Sequence, residues 1–207
     1  MRIDSRREYN RHQLLEGDLP DDPIAAFQNW FEEAMQEKIP DYNAFHLATS
    51  DAQGYVSGRI VLLKSIENNQ FLFYTNYDSK KGQQIEDNNR VAATFFWSAL
   101  ERQVRIEGTI SRVESSKSDA YFKTRPIDSQ AAAAASRQSE KIENREALEN
   151  RFEAFRSQDT IERPEHWGGY AINPVAIEFW QGRPSRLNDR IAYDKTENGW
   201  EKNRLSP

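Results

Sequence analysis

The hydrophobic pattern begins with a helical period near the N-terminus. Apolar side chains recur at helical spacing from Ile24 to Met35, directly after Pro20-Asp21-Asp22-Pro23. That tetrapeptide supplies an aspartate able to cap a helix and a proline suited to its first turn. The spacing predicts one amphipathic helix whose apolar stripe, Met35 included, packs inward.

The pattern then changes to the two-residue period of β-structure. Predicted strands cover 45–50, 55–64, 71–75, 91–97 and a segment that alternates from Gln103 to Ile110. A glycine-containing turn at 51–54 joins the first two strands, so they are predicted to form a hairpin.

Helical composition returns before a last group of strands. A short helix is predicted at 115–123, ended by Arg125-Pro126, and further helices from Ala131 to Phe155, where the alanine run at 131–135 leaves a low-complexity linker as the alternative. The final predicted strands are 175–180, 190–193 and 200–205, with an Asn198-Gly199 turn between the last two.

Strands in hairpins with helices inserted between them indicate an α+β fold with an antiparallel sheet or barrel. No glycine-rich dinucleotide fingerprint or phosphate loop is present, so side chains must hold any bound phosphate. We expect one domain over residues 1–207, with an N-terminal arm at 1–19 and a helical insertion at about 115–160.

Composition narrows the possible functions. The net charge of −5 argues against a general nucleic-acid binder, and the absence of cysteine removes disulfides, thiolate metal sites and cysteine nucleophiles. Three dispersed histidines give no support to a zinc site. Without an apolar run of signal-peptide or membrane-span length, the chain is expected to be cytoplasmic and to have no membrane partner.

Three groups of residues are candidates for a binding site. The first contains Arg59, Lys64, Lys80 and Lys81, cations near strand ends that suit a phosphate, although such residues are commonly solvated. The second contains Tyr121, Arg125 and Ser129 at four-residue spacing; the alternative is a core tyrosine, a helix-end arginine and a capping serine. The third places Trp180 before Arg186 and Arg190; a core anchor is the commoner role of such a tryptophan, and the two nearby arginines favour a functional one.

Eight motifs, in order across nearly the whole chain, resemble those of pyridoxamine 5′-phosphate oxidases. They are Arg6-Arg7-Glu8-Tyr9, Arg59-Ile-Val-Leu-Leu-Lys64, Phe73-Tyr-Thr-Asn76, Leu100-Glu-Arg-Gln103, Tyr121-Phe-x-x-Arg-Pro126, Ser136-Arg-Gln-Ser139, Phe179-Trp-Gln-Gly182 and Arg204-Leu-Ser-Pro207. Each motif alone is weak evidence, whereas the ordered set is specific.

The resemblance implies a split β-barrel flavoprotein, antiparallel and Greek-key-like with surrounding helices, that forms a homodimer with FMN at the subunit interface. By matching motif, the implied FMN contacts are Arg59, Ile60, Val61, Leu62, Leu63, Lys64, Tyr74, Thr75, Lys80, Lys81, Gln103, Gln138, Ser139, Trp180 and Arg190. Lys80 stands where the family often has arginine, so the charge is kept but the bidentate geometry is lost.

The resemblance also implies a substrate site. Its members are Arg6, Tyr9, Lys64, Tyr121, Arg125, Ser129, Arg186 and Asn188, of which Arg186 and Asn188 are the implied catalytic pair beside the substrate's ring. Asn188 departs from the usual Arg-Leu-His motif, and asparagine cannot carry a positive charge near neutral pH as histidine can.

The implied activity is oxidation of pyridoxamine or pyridoxine 5′-phosphate to pyridoxal 5′-phosphate, with molecular oxygen as acceptor and hydrogen peroxide, plus ammonia from the amine, as products. Two alternatives remain open. One is a flavin oxidase acting on another ring system, as in phenazine-pathway relatives, and the other is a binding module that holds FMN or pyridoxal 5′-phosphate without turnover.

Overall fold

The computed structural model describes residues 8–207, which fold into nine strands and five α-helices. The elements in chain order are α1 (Pro23–Gln36), β1 (Ala44–Ser50), β2 (Val56–Leu62), β3 (Ser65–Glu67), β4 (Gln70–Asn76), α2 (Lys80–Asp87), β5 (Arg90–Trp97), β6 (Arg102–Arg112), α3 (Ser115–Thr124), α4 (Ile127–Ala135), α5 (Arg145–Arg156), β7 (Trp167–Gln181), β8 (Asp189–Thr196) and β9 (Gly199–Leu205).

All nine strands belong to one sheet, in the order β2-β1-β5-β6-β7-β4-β3, with β8 paired to β7 and β9 to β8. The pairings β3–β4, β4–β7, β7–β8 and β8–β9 are antiparallel. The predicted α+β class with an antiparallel sheet is therefore confirmed. Among the described residues, no helix combines the length and apolar character needed to cross a membrane.

The chain divides into two compact units, each built from several segments. The first contains the chain up to Leu47 with Ala92–Gly108 and Pro174–Pro207, and the second contains Ala48–Val91 and Thr109–Asn173.

The core of the first unit is aromatic and is organised by α1. Asp22 caps the helix by accepting from the backbone N–H of Ile24, as its sequence predicts. Phe27 is fully buried and packs edge-on against Phe95 at 4.9 Å between ring centroids. The prediction that Met35 packs inward is wrong: 46% of it is exposed, because it lies at the edge of the apolar stripe.

The core of the second unit is formed by the helices that follow β6. Phe122 of α3 packs with Ala131 and Ala133 of α4 and with Trp167 at the start of β7. The alanine run at 131–135 is therefore helix and not linker, since its small side chains let the two helices approach closely.

Three elements differ from their prediction. Helix α2 stands where Lys80 and Lys81 were expected in a turn, β3 was not predicted, and β7 begins at Trp167, eight residues before its predicted start at Val175. Helix α2 has no apolar stripe from which the sequence could predict it. Ser79 caps the helix by accepting from the backbone N–H of Gly82.

Gly82 gives a test of how tightly α2 is packed. A Cβ at this position would lie 1.7 Å from the carbonyl oxygen of Tyr77, which is backbone and cannot swing away. We expect Gly82→Ala to lower the free energy of unfolding by about 1–3 kcal/mol, although alanine favours helix by about 1 kcal/mol. Urea denaturation measures the change.

The matched control is Gly17→Ala, because a Cβ there would meet no atom within 4 Å. The two substitutions restrict the unfolded chain alike, so only the native-state clash separates them. Equal unfolding free energies for the two variants would contradict the close packing of α2.

Candidate functional site

A cavity of about 890 Å³ lies in the second unit, between β2, β4, the first turns of α2 and α4 and the last turn of α3. Its walls are Ser57, Gly58, Arg59, Ile60, Val61, Leu62, Lys64, Tyr74, Thr75, Lys80, Lys81, Tyr121, Thr124, Arg125, Pro126, Ser129, Gln138, Ser139 and Trp167. The structure therefore brings together the first two groups of candidate residues, which are far apart in sequence.

The cavity is strongly cationic. Of the residues from 8 to 207, five Lys and Arg side chains line it and no Asp or Glu does, in a chain whose net charge is −5. Like charges placed this close repel one another unless an anion or many dipoles offset them. The arrangement suits a ligand that carries phosphate or another dianionic group.

Lys81 is a buried cation held by neutral groups. Its Nζ donates to Thr75 Oγ1 at 2.8 Å, to Ser79 Oγ at 2.9 Å and to Gln138 Oε1. Burial, and then the nearby charge of Arg59, lower the pKa of Lys81 to about 8. The ammonium group is therefore only marginally stable without an anion beside it.

Arg59, in the middle of β2, is held in the same manner. Its Nη1 donates to Thr49 Oγ1 at 2.7 Å and its Nη2 to Ser57 Oγ at 2.9 Å. Burial lowers the pKa of Arg59, yet a guanidinium stays charged at any ordinary pH. Among its described contacts, hydroxyl oxygens take the place that a carboxylate would otherwise occupy.

Arg125 follows α3 and carries a buried donor without a partner. Its Nη1 has no hydrogen-bond partner among the described residues, while the guanidinium lies over the Trp167 ring at 4.6 Å from the centroid. Burial lowers the pKa of Arg125, partly offset by Tyr121. A buried unpaired N–H is costly, so this atom identifies a position where an anionic ligand would be bound.

Aromatic rings form one wall of the cavity. Tyr74 stacks on Tyr121, at 3.8 Å between centroids, and both lie near Trp167, at 5.6 and 6.3 Å, with the three rings nearly parallel. Burial raises the pKa of both tyrosines, so their hydroxyls stay protonated as hydrogen-bond donors. The expectation that Tyr121 serves only the core does not fit its place in the lining.

Ser129 lines the cavity, whereas Leu63 does not. Ser129 lies inside α4 and lines the cavity, so the alternative that it caps that helix is wrong. Leu63 is buried and does not line the cavity, although its neighbours from Arg59 to Leu62 do.

The remaining predicted residues belong to the first unit and do not line this cavity. Trp180 of β7 pairs with Arg190 of β8 and meets Tyr9 edge to face at 5.6 Å. Arg190 is engaged by Glu178, at 3.0 and 2.9 Å, which raises its pKa. Gln103 lies half-buried on β6, and Arg6 lies outside the described residues.

Arg186 and Asn188 lie in the turn between β7 and β8. The backbone of Ser185 and Arg186 is left-handed, with φ of 56° and 61°, which is unusual for residues other than glycine. Asn188 Oδ1 accepts from the backbone N–H of Arg183 at 3.0 Å and so closes the turn. Arg186 is exposed at the tip of this turn.

Trp167 is the lining residue whose importance the sequence did not reveal. It precedes Gly168-Gly169, where a Cβ would come within 2.1 Å of Tyr77 Oη and 2.8 Å of Tyr74 Cε1 respectively. Two glycines after an aromatic residue are a signal of such close approach within a strand. The described residues contain no group of His, Cys, Asp or Glu able to hold a metal ion.

The fold and the cavity define an α+β protein with a binding site for a phosphorylated or otherwise anionic small molecule. Comparison with protein families identifies it more closely. Residues 31–159 match the family described as pyridoxamine 5′-phosphate oxidase, and residues 167–207 match the pyridoxine 5′-phosphate oxidase C-terminal dimerisation region. The chain belongs to the pyridoxamine 5′-phosphate oxidase family.

Curated relatives match over the full chain. Proteins named pyridoxine/pyridoxamine 5′-phosphate oxidase from Cupriavidus taiwanensis and Bordetella avium are 50% and 51% identical, each covering 99% of this chain and 98% of the relative. The protein of that name from Leptospira interrogans is 49% identical and covers 98% of this chain and 96% of the relative.

Solved structures agree on the fold. PhzG from Burkholderia lata, in complex with tetrahydrophenazine-1-carboxylic acid, superposes with a TM-score of 0.90 at 27% identity over 94% of this chain and 98% of its own. A pyridoxamine 5′-phosphate oxidase-related, FMN-binding protein from Nostoc punctiforme gives 0.73 at 16% identity over 87% and 97%. The predicted split β-barrel is confirmed.

The lowered pKa of Lys81 predicts how anion binding depends on pH. Lys81 is protonated below about pH 8 and loses its charge above it. Sulfate is a suitable probe because its own charge is constant there. We expect sulfate affinity to be greatest below about pH 8 and to fall by up to about tenfold per pH unit above it, measured by calorimetric titration.

Lys81→Arg is the matched variant, because its guanidinium remains charged throughout this range. Its sulfate affinity should stay nearly constant where that of the unaltered protein falls. An unaltered protein whose affinity does not change between about pH 7 and pH 10 would exclude Lys81 as a titrating anion ligand.

Proposed function

We propose that the protein is an FMN-dependent oxidase that converts pyridoxamine 5′-phosphate or pyridoxine 5′-phosphate into pyridoxal 5′-phosphate with molecular oxygen as acceptor. The observation that carries the proposal is the cavity, which within the described part of the chain has five cations, no carboxylate and a buried donor on Arg125 without a hydrogen-bond partner. The names of relatives about 50% identical over the full chain support the same substrate class.

The two ends of the cavity are proposed to hold two phosphate groups. Lys81 and Arg59, with Thr75, Gln138 and Ser139 close by, form the end proposed to hold the phosphate of FMN. Lys64, Tyr121, Arg125 and Ser129 form the end proposed for the substrate's phosphate, where the buried Nη1 of Arg125 would gain a partner. The exposed side chain of Ile60 offers an apolar surface for a flat ring.

When bound, FMN would supply the redox chemistry by accepting a hydride from the substrate's C4′ carbon and passing the electrons to oxygen. The described cavity residues bind and orient the ligands. Fixing both phosphates limits the positions that the rings can take, and this restriction reduces the entropic part of the barrier. The aromatic wall of Tyr74, Tyr121 and Trp167 excludes water from one side.

We propose that a second copy of the chain completes the site. The predicted residues outside the cavity include Trp180, Arg186, Asn188 and Arg190, all within the segment 167–207 that matches a dimerisation region. A homodimer would bring this segment of one copy to the cavity of the other. Arg186, exposed on a closed turn, is the residue proposed to act at the substrate's ring.

The direct test is a flavin titration followed by turnover. The purified protein should bind FMN and, on anaerobic addition of pyridoxamine 5′-phosphate, lose the visible flavin absorption while one equivalent of pyridoxal 5′-phosphate and of ammonia forms. When oxygen is admitted, the flavin absorption should return as one equivalent of hydrogen peroxide forms. Unphosphorylated pyridoxamine is the control and should react far more slowly, because the cationic cavity would then bind no second phosphate.

Two other results would replace the proposal. Flavin binding without reduction by the substrate would indicate a non-catalytic binding module. Reduction of the flavin by a phosphate-free tricyclic acid in preference to pyridoxamine 5′-phosphate would indicate an oxidase of another ring system. This alternative is tested because the fold is similar to that of PhzG in complex with tetrahydrophenazine-1-carboxylic acid.

Substitutions of the two candidate arginines are expected to change different kinetic constants. Arg125→Ala removes a phosphate ligand used equally in the ground and transition states, so KM should rise about 10- to 100-fold with kcat little changed. Arg186→Ala should lower kcat as well, because it removes a contact at the reacting ring. Steady-state kinetics at saturating FMN separate the two effects.

Lys123→Ala is the control for loss of a positive charge on α3, since Lys123 is exposed and does not line the cavity. Both of its constants should match those of the unaltered protein. An equal reduction of kcat in Arg125→Ala and Arg186→Ala would contradict the proposed division of roles.

A further inference from the structure

Gln84 is a buried amide on α2, 4% exposed, that does not line the cavity but contacts residues that hold Arg59. We propose that Gln84 is a positioning residue that fixes the guanidinium of Arg59 for the phosphate of the bound flavin. The inference rests on the proposed function and extends it to a residue behind the site.

The contacts of Gln84 converge on one oxygen. Its Oε1 accepts from Thr49 Oγ1 at 2.6 Å, from Ser57 Oγ at 2.7 Å and, at 3.5 Å, from Arg59 Nη2. The two hydroxyls in turn accept from Arg59, Thr49 from Nη1 and Ser57 from Nη2. Each hydroxyl therefore accepts a hydrogen bond from the guanidinium and donates one to the same amide oxygen.

The orientation of the amide is set by a separate contact. Gln84 Nε2 donates to the carbonyl oxygen of Tyr55 at 3.2 Å, so the amide cannot rotate by 180° without placing two acceptors together. With the oxygen fixed, the hydroxyl protons of Thr49 and Ser57 point toward it and their lone pairs remain for Arg59. This sequence of donors and acceptors determines where the guanidinium lies.

A neutral acceptor is what the site requires. A carboxylate at position 84 would accept the same hydrogen bonds but would add a negative charge beside Arg59, and it would oppose the acceptor oxygen of Tyr55. The positive potential of the cavity would then fall. Glutamine accepts from the arginine without adding a negative charge beside it.

Residue 84 lies among segments that are distant along the chain. Thr49 belongs to β1, Ser57 and Arg59 belong to β2, and Gln84 belongs to α2. The same helix carries Lys81, whose pKa is lowered by burial and then by the nearby charge of Arg59. Helix α2 thus contributes one phosphate ligand directly and sets the position of another through Gln84.

A double-mutant cycle on FMN affinity tests the inference. Gln84→Met keeps the length of the side chain and removes the acceptor, and we expect the Kd for FMN to rise about tenfold. In an Arg59→Ala background the same substitution should change the Kd by less than about twofold, because Gln84 acts through Arg59. Quenching of flavin fluorescence gives each Kd, and kcat at saturating FMN should be unchanged.

Three further variants sharpen the result. Gln84→Glu should weaken FMN binding more than Gln84→Met does, although it is the closer match in shape. Ser57→Ala, at a half-buried position, removes one hydroxyl and should raise the Kd less than Gln84→Met, so the inference stays testable if substitutions at position 84 prevent folding. Gln83→Met, on the exposed side of α2, should leave the Kd unchanged.

The inference is overturned if Gln84→Met and Arg59→Ala weaken binding independently, so that their effects multiply in the double variant. It is also overturned if Gln84→Glu binds FMN as well as the unaltered protein. Failure of the unaltered protein to bind FMN would instead refute the proposed function, so the two failures are distinguishable.

Discussion

The site depends on keeping several positive charges together without neutralising them. Elsewhere in the chain, arginines are paired with carboxylates, as Arg190 is with Glu178 and Arg163 with Asp119. Among the described hydrogen bonds of Arg59 and Lys81 in the cavity, the acceptors are instead hydroxyls and amides, which order both side chains without adding a negative charge. Neutral acceptors stabilise the cations only partly, and the remaining stabilisation has to come from an anionic ligand.

The fold makes this arrangement possible because α2 begins just after β4 ends, next to the start of β7. The antiparallel pairing of β4 with β7 sets Thr75 opposite Gly168 and Tyr74 opposite Gly169. Because these glycines have no side chain, the aromatic rings lie flat beside the strand. Ser79 then starts α2 and directs Lys81 back toward Thr75, so a strand end and a helix start form one phosphate-binding surface.

Features set by interactions between residues close in sequence could be predicted, whereas features set by contacts between distant residues could not. The cap of α1 at Asp22 is local and was predicted, whereas the exposure of Met35 depends on what packs against the helix. Helix α2 was missed because Ile85 is its only large apolar residue and periodicity had nothing to detect. Ordered motifs predicted most of the cavity lining, but no local pattern marks Gln84, whose partners lie 27 and 35 residues away.

Asn188 shows how a departure from a family motif can be tolerated. Its Oδ1 is committed to the backbone N–H of Arg183, so its first effect is to close the turn that presents Arg186. A histidine could accept the same hydrogen bond through a ring nitrogen, and the turn would keep its shape with either residue. What differs is charge: histidine could become cationic near neutral pH, and asparagine cannot. Asparagine at position 188 therefore closes the turn that carries Arg186 without placing a titrating group beside it.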